Sequence, residues 1–525
     1  MTADKPRPEP MSRDQLLIFV AALAGSFLVN VSGQAVGTGI VDIQGAIGAS
    51  ADEASWLTTV FTMAQFAGIV CATPLIALLG LRRYMAAAAL TFGLTALGAA
   101  VIAELQPMIF LRALQGFAAG GFGPVAFVAT FTTCGGPRLP FGLLLLALVL
   151  LLPVGFGVAA SGLLLEAFGW QGLFLFQTAI GAGLAIAAIL FMPDAPINRG
   201  ALRRDWTGLV LLATALAASL LVLGQGTRLY WLDSPWISWS MAVAAGAWAG
   251  FLFTLWRSPM PVLDLGLIAR RSFIAPVILN LLFRAGFAGV SYLVPQFLIV
   301  TQAYRPVELS KLYLWMGVPQ LFAFPLAWWL LQHLDGRFVA GIGMLLFGWG
   351  ALLAAGGTNL ASAEQFRLAL ALSGAGQILF LSPILMAGAL SLKASDGPTA
   401  SLLFNSTTLG GTSLGVAIAT EFVTERQRFH AGALAESGAA FGKKLDLIDQ
   451  LAVAMGNRAG DEAIAGARAI ASVAGALRRE AWVLSFNDGF LLIGALLIAS
   501  AAAIALISRQ APIRSHQPAL AGKSS

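Results

Sequence analysis

The sequence predicts an all-α membrane protein that crosses the bilayer fourteen times. Of its 525 residues, 58% are hydrophobic and 11% are charged, and the mean hydropathy is +0.83. Soluble domains carry about 25% charged residues, so this chain could not cover a water-exposed surface with polar groups. This composition excludes a soluble enzyme, a nucleic-acid-binding protein and a disordered chain. Fourteen apolar stretches, numbered here as spans 1–14, are each about 20 residues or longer, as a membrane-crossing helix requires.

The first six spans form a group before a polar break. They lie near residues 16–40, 55–79, 84–103, 107–133, 140–165 and 171–192. Proline and glycine within them are compatible with helix, because membrane helices tolerate both residues. The group predicts an N-terminal six-helix bundle over residues 1–192.

The remaining eight spans divide into a pair and a second group of six. They lie near residues 206–225 and 236–256, and near 273–300, 308–332, 339–358, 366–391, 399–423 and 485–508. The pair predicts a two-helix insert over residues 193–257. The last group predicts a C-terminal six-helix bundle over residues 258–525, with a long outer loop at 425–484. That loop is alanine-rich with charges at helical spacing, which suits either solvated helices or a docking surface for a partner.

The distribution of basic residues supports this count of spans. Seventeen of the 31 lysines and arginines lie in short segments on the side of the N-terminus, and four lie in short segments on the other side. Cytoplasmic loops carry such an excess, and long loops are exempt from the rule. We therefore expect a multi-pass protein of the bacterial inner (cytoplasmic) membrane, with the N- and C-termini in the cytoplasm.

A faint internal repeat links the two groups of six spans. Arg83-Tyr84 opens span 3, and Arg337-Phe338 opens span 11, each after a short loop on the side of the N-terminus. The offset of 254 residues fits a six-span unit repeated around a two-span insert. Repeated bundles of this kind are typical of secondary transporters.

The sequence offers few residues that could form a metal site or take part in covalent catalysis. The two cysteines, Cys71 and Cys134, lie in different spans, and the three histidines lie outside the apolar runs. No spacing of these residues fits a metal site. An intramembrane enzyme is disfavoured as well, because the spans carry no histidine and no acid near their middle. We expect no metal and no cofactor.

Several motifs together resemble a known family. Span 4 contains Arg112, Gln115 and Gly116, followed by Gly120 and Gly121. In order and spacing these residues, with the Asp-Trp-x-Gly entry of span 7, resemble the major facilitator superfamily. The closest resemblance is to its fourteen-span drug:proton antiporter branch, the EmrB/QacA-like multidrug exporters. The resemblance implies the major facilitator fold, two six-helix bundles plus two inserted helices, and alternating access driven by the proton-motive force.

The chain departs from that branch at three places. Ser32 stands in span 1 where the branch commonly has an aspartate. The loop between spans 2 and 3 keeps Gly80, Arg82 and Arg83, which the resemblance implies form an inner-loop gate, but it lacks the usual acidic partner. The signature of span 5, which includes Gly157 and Gly162, lacks its proline and one glycine.

Two arginines within spans are the strongest candidates for the substrate and coupling pathway. An ionisable residue inside a span costs about 2.5–3.5 kcal/mol, so it usually has a function. Arg112 is tied by the resemblance to gating or coupling, and snorkelling to the headgroups is the alternative. Arg284 lies near the middle of span 9, where either a substrate carboxylate in a cavity or carbonyls of neighbouring helices would satisfy its donors.

Other polar and small residues extend this pathway. The predicted lining also includes Ser32, Gln34, Gln115, Asn280, Gln377 and Asn405. The candidate proton carriers are Asp42 and Glu421, each near the outer end of a span. Gly116, Gly120, Gly121, Gly157 and Gly162 are predicted to allow close helix contact, and conformational change where helices slide.

The expected function is export of amphipathic or hydrophobic small molecules from the bacterial cytoplasm, with the lipid bilayer as surroundings. A periplasmic membrane-fusion protein is a further expected partner by resemblance, and no nucleic acid is expected. Two alternatives remain open. One is an exporter of an anionic metabolite or siderophore, with Arg284 as counter-ion. The other is an uncoupled facilitator or sensor that has kept the fold.

Overall fold

A computed structural model describes residues 11–203, 205–259, 261–390, 392, 396–436, 450, 462–504, 509 and 512–513. This part of the chain is almost entirely helical, which confirms the predicted all-α class. Spans 1–4 are Arg13–Thr38, Ala51–Leu79, Leu81–Val101 and Leu105–Thr133. Spans 7–14 are Trp206–Gln225, Pro235–Arg257, Arg271–Gln302, Leu314–His333, Gly336–Ala354, Arg367–Leu390, Gly397–Glu436 and Glu462–Ala503.

Spans 5 and 6 follow one another without an intervening loop, in one helical stretch that a kink divides. The described residues contain thirteen apolar helical segments of membrane-crossing length, and one of them, Gly136–Phe191, has 56 residues. At about 1.5 Å per residue it is about 84 Å long, enough for two crossings. Gly169 interrupts it with φ 66° and ψ −169°, a conformation that glycine adopts easily. The chain therefore turns back at Gly169, which gives fourteen crossings.

We call the membrane face at which span 1 begins the N-terminal face, and the other the opposite face. Several spans start with a side-chain cap that fixes where the helix begins. Ser12 and Gln15 form a capping box at span 1, and Ser50 and Glu53 form one at span 2. Asp205 accepts a hydrogen bond from the backbone of Gly208 at span 7. Each cap contributes about 1 kcal/mol and satisfies a donor that would otherwise be left unpaired.

The structure differs from the sequence-based boundaries at three places on the opposite face. The segment after span 1 was expected to be a loop, but it is a helix, Ile40–Ile47, bounded by Gly39 and Gly48. Spans 13 and 14 are also longer than predicted. Span 13 continues to Glu436 and is about 60 Å long, about twice the thickness of the hydrocarbon core. The described ends of the predicted loop 425–484 are therefore helical continuations of the spans, and its middle lies outside the described residues.

Each half of the chain has its own apolar core. One cluster joins spans 1–4 and span 6, and includes Phe92 and Phe122. Another joins spans 9–14, and includes Phe347 and Phe490. The insert packs on the N-terminal half, since span 7 lies along span 2. A further apolar cluster joins spans 1, 4 and 5 to spans 9–13 along the seam between the halves, and the candidate site lies in that seam.

Candidate functional site: a central cavity

A cavity of about 710 Å³ lies between the two halves. Its walls come from spans 1, 2, 4 and 5 of the N-terminal half, span 7 of the insert, and spans 9 and 13 of the C-terminal half. This volume lies within the range of about 300–1,000 Å³ that is typical of small-molecule sites. The wall is amphipathic, because amides, hydroxyls and arginines alternate with aliphatic and aromatic side chains.

Apolar contacts between the halves close the cavity toward the N-terminal face. Phe127 of span 4 stacks on Phe404 of span 13, with ring centroids 6.1 Å apart, and Phe404 also meets Phe273 of span 9 at 5.9 Å. Phe141 of span 5 packs edge-on against Trp328 of span 10 at 5.2 Å. We call these two groups of ring contacts together the aromatic seal. Because the cavity lining instead continues to Thr420 near the opposite face, the cavity extends toward that face.

Arg112 lies in the cavity wall, and its Nε and Nη1 donate to residues of the N-terminal half. Its side chain is buried (1% exposed) about 10 Å along span 4. Its Nε donates to the carbonyl of Leu57 at 3.3 Å, and its Nη1 donates to Oε1 of Gln115 at 2.6 Å. The guanidinium also lies 4.0 Å from the ring centroid of Phe61. Gln115 in turn donates to Gln177 at 2.7 Å, so this arginine anchors a network across spans 2, 4 and 6.

Arg284 lies in the wall contributed by the C-terminal half and is bonded differently. Its side chain is also buried (3% exposed), but its Nε and Nη2 have no hydrogen-bond partner. The residue lies about 20 Å from the start of span 9 and about 27 Å from its end, too far to reach either headgroup layer. Buried polar groups normally have a partner, so these two donors are candidates for contact with a ligand in the cavity.

The charge of the cavity wall is positive. Arg112, Arg228 and Arg284 line it, whereas no aspartate or glutamate of the described chain does. Arg228, at the rim, pairs with Asp52 at 2.8 Å. Within the described residues, neither Arg112 nor Arg284 forms an ion pair. Two buried cations therefore face one space without a protein counter-ion.

The structure divides the predicted polar residues between the cavity and the helix interfaces. Gln34 and Asn405 line the cavity, as Arg112 and Arg284 do. The others lie outside its lining and bond within or between helices. Ser32 donates to the carbonyl of Leu28, Gln115 bonds Arg112 and Gln177, Asn280 donates to Thr407 and Thr408, and Gln377 accepts from Gln320.

The two acidic candidates have unlike surroundings. Asp42 is exposed on the short helix beyond span 1 and lies outside the cavity lining. Glu421 is partly buried near the rim and accepts two hydrogen bonds from the insert. These come from Oγ1 of Thr227 at 2.6 Å and from Nε1 of Trp231 at 2.9 Å.

The predicted glycines mostly provide close packing within the N-terminal half. Side chains at Gly116 and Gly120 would collide with the backbone of span 2, at Gly121 with Tyr84, and at Gly157 with span 1. Gly162 differs, because it contacts Ser310 of the other half. Gly155 also crosses between halves, and a Cβ there would lie 2.6 Å from the Cα of Gly317 in span 10.

The predicted inner-loop gate folds against its own half. Gly80 has φ 82°, a conformation that favours glycine, and it faces Ala195 beyond span 6. Arg83 pairs with Asp194 at 3.3 Å, and both side chains are about half exposed. Arg82 lies two residues after Gly80, in the first turn of span 3.

Two parts of the cavity lining are not predicted by the sequence. The insert contributes Leu220, Leu223, Gly224, Thr227 and Arg228. Threonines on spans 2 and 13 supply much of the polar wall: Thr58, Thr59, Thr62, Thr408, Thr412 and Thr420. The threonine pairs spaced four residues apart, such as 58/62 and 408/412, were a signal in the sequence, because that spacing places them on one helix face.

Comparison with known proteins identifies the fold family. The family model described as Major Facilitator Superfamily matches residues 22–416. The chain belongs to the major facilitator superfamily. The resemblance seen in the sequence is thereby confirmed, and the protein is a multi-pass member of a family of membrane transporters. A solved structure of the proton:xylose symporter XylE superposes with a TM-score of 0.56 at 10% identity, covering 94% of this chain and 95% of that one, which shows the shared fold.

Curated relatives of this superfamily member are named as resistance and export proteins. "Colistin resistance protein EmrB" of Acinetobacter baumannii is 25% identical over 64% of this chain and 66% of its own length, just under two thirds. "Multidrug export protein EmrB" of Escherichia coli is 23% identical over 82% of this chain and 84% of its own length. "Multidrug resistance protein Stp" of Mycobacterium tuberculosis is 24% identical over 78% and 76%.

The Gly155–Gly317 crossing yields a prediction for this superfamily fold. We expect Gly155→Ala to lower the midpoint of thermal unfolding by several degrees, because overpacking costs about 1–3 kcal/mol. Differential scanning fluorimetry of the purified protein in detergent measures the change. Gly183→Ala is the control, since a Cβ there meets no atom within 4 Å. Equal midpoints for the two variants would show that the crossing is not tightly packed.

Proposed function

We propose that this protein is a secondary active transporter that exports amphipathic or hydrophobic small molecules by alternating access. The observation that carries the proposal is the amphipathic cavity between two separately packed halves, closed toward one face by the aromatic seal. A drug-sized molecule fits this volume. The names of the bacterial relatives, which concern resistance and multidrug export, agree with this activity.

The proposed orientation places the N-terminal face in the cytoplasm. The excess of basic residues in the short loops of that face supports it. With this orientation, in the bacterial inner membrane, the cavity extends toward the periplasm, and the structure corresponds to the state that releases substrate. The extended ends of spans 13 and 14 lie on the periplasmic side, where a membrane-fusion partner would dock. That partner stays a prediction.

A proton gradient is the proposed energy source, with Glu421 as the proposed proton carrier. The carboxylate lies next to cavity-lining Thr420 and accepts hydrogen bonds from the insert, so its protonation would change contacts between two moving parts. Asp42 is less suited, because it is exposed outside the cavity. An uncoupled facilitator is the second candidate function, favoured by the lack of any acid in the described cavity lining.

The export proposal predicts lower accumulation of amphipathic dyes in cells that make the protein. We expect a bacterial strain without its own major exporters to accumulate several-fold less Nile red, a neutral amphipathic dye, when it expresses the chain. Fluorescence of energised cells measures the difference, and the Gly155→Ala variant at equal membrane abundance should recover much of the accumulation. Unchanged accumulation for every cationic, neutral and anionic dye in a broad panel would contradict export.

The coupling proposal predicts a selective effect of Glu421→Gln. In proteoliposomes, we expect this variant to lose proton-driven accumulation of dye about tenfold or more, while exchange of dye down its own gradient is retained. The reason is that glutamine keeps hydrogen-bonding capacity but cannot release a proton. Asp42→Asn is the matched control and should leave both activities unchanged. If wild-type transport ignores an imposed pH gradient, the uncoupled facilitator is the correct function.

A further inference from the structure

Export of amphipathic molecules in general does not explain why donors of the buried Arg284 guanidinium lack hydrogen-bond partners. Its Nε and Nη2 are buried and lack hydrogen-bond partners, although the side chain lines an amphipathic cavity. A buried charge is normally paired, because desolvation without a partner is costly. Arg112 in the same cavity has such partners: its Nε and Nη1 donate to a carbonyl and an amide, and its guanidinium lies over an aromatic ring.

Packing of span 9 on span 13 fixes where the Arg284 side chain can go. A Cβ at Gly411 would lie 2.8 Å from the Cβ of Arg284, and Gly415 lies against the backbone of Ala285. This close contact holds the base of the arginine between the two helices. The guanidinium therefore stays near the middle of the membrane at the cavity wall, beside cavity-lining residues of span 13 such as Thr412.

The positive charge of the cavity wall favours a negatively charged ligand. The described lining contains three arginines and no carboxylate, and only Arg228 is paired, with Asp52. A cationic ligand would add repulsion to an already unpaired charge, whereas a carboxylate would accept from the fork of Arg284 in a bidentate geometry. The rest of the wall offers apolar surface for a tail, including Val29, Phe61, Ile69, Leu220, Leu223 and Phe287.

We infer that the cavity binds amphipathic monocarboxylates, with the carboxylate on Arg284 and the apolar tail along the aliphatic and aromatic wall. This inference rests on the proposed export function and names its substrate class. Arg112 contributes a second positive charge from the facing half, but its Nε and Nη1 already donate to Leu57 and Gln115. Arg284 is thus the residue that determines specificity.

Binding of a short fatty acid tests the inference directly. We would place the full-length protein in nanodiscs of neutral lipid and measure binding of radiolabelled decanoate, after subtraction of empty nanodiscs. Unlabelled decanoate, decyltrimethylammonium and decanol, which share one chain length, serve as competitors. We expect decanoate to compete at least tenfold better than either of the other two. Equal competition by the cation would overturn the inference.

Variants at Arg284 connect that selectivity to this side chain. We expect Arg284→Gln to weaken decanoate binding at least tenfold and Arg284→Lys to weaken it less, because lysine keeps the charge but loses the fork. Arg367→Gln is the control. It removes the same charge from an exposed ion pair with Glu364 outside the cavity, and should change affinity less than twofold. Affinity within twofold of wild type in Arg284→Gln would overturn the inference.

Thermal unfolding separates a ligand-binding arginine from a structural one. Without ligand, we expect Arg284→Gln to unfold at the same temperature as wild type or higher, because it removes an unpaired buried charge. Decanoate should raise the unfolding temperature of wild type and not of the variant. An unfolding temperature several degrees lower in the ligand-free variant would assign Arg284 a structural role and overturn the inference.

These outcomes are distinct from those that test export. Export of Nile red by cells without selective decanoate binding would leave the proposed function standing and overturn the carboxylate inference. Selective decanoate binding that depends on Arg284, without export of any dye or of decanoate, would support the carboxylate site and contradict export.

Discussion

The aromatic seal between the halves is the contact on which the rest of the arrangement depends. Phe127 and Phe141 come from one half, and Phe273, Phe404 and Trp328 from the other. Apolar contacts have no required direction, so they can separate and reform without leaving a buried donor unpaired. Within each half, glycines bring backbones into contact that a single methyl group would disrupt, and the Gly155–Gly317 crossing makes one such contact between the halves. The contacts between the halves are thus mostly apolar side chains.

Arg112 and Arg284 look alike in the sequence but differ in their hydrogen bonding in the structure. Both are arginines within apolar spans, and both are buried in the wall of one cavity. Arg112 is held by Leu57 and Gln115, so it stabilises its own half whether or not a ligand is present. Arg284 leaves two donors without a partner. The difference lies in the neighbours that folding supplies, and the sequence around each residue does not contain it.

The spans and the embedded charges could be predicted from the sequence because hydropathy and charge are local properties. The division of amides between cavity and interface could not, since it depends on how each helix is rotated. Gln34 and Asn405 face the cavity, whereas Gln115 and Gln377 face other helices. The long ends of spans 13 and 14 were assigned to a loop because their charges resemble those of a solvated segment. The contribution of the insert to the cavity wall could not be predicted, because hydropathy does not show which helices pack against each other.

The insert touches both halves at the rim of the cavity, which constrains any movement there. Gln225 donates to Thr59 of span 2 at 2.6 Å, and Arg228 pairs with Asp52. In the same part of the insert, Thr227 and Trp231 donate to Glu421 of span 13. If spans 2 and 13 move apart at this face, one of these two sets of bonds must break. Hydrogen bonds to a charged acceptor contribute about 1.5–3 kcal/mol each. The insert therefore joins both halves at the rim, and its bonds to the C-terminal half end on one carboxylate, that of Glu421.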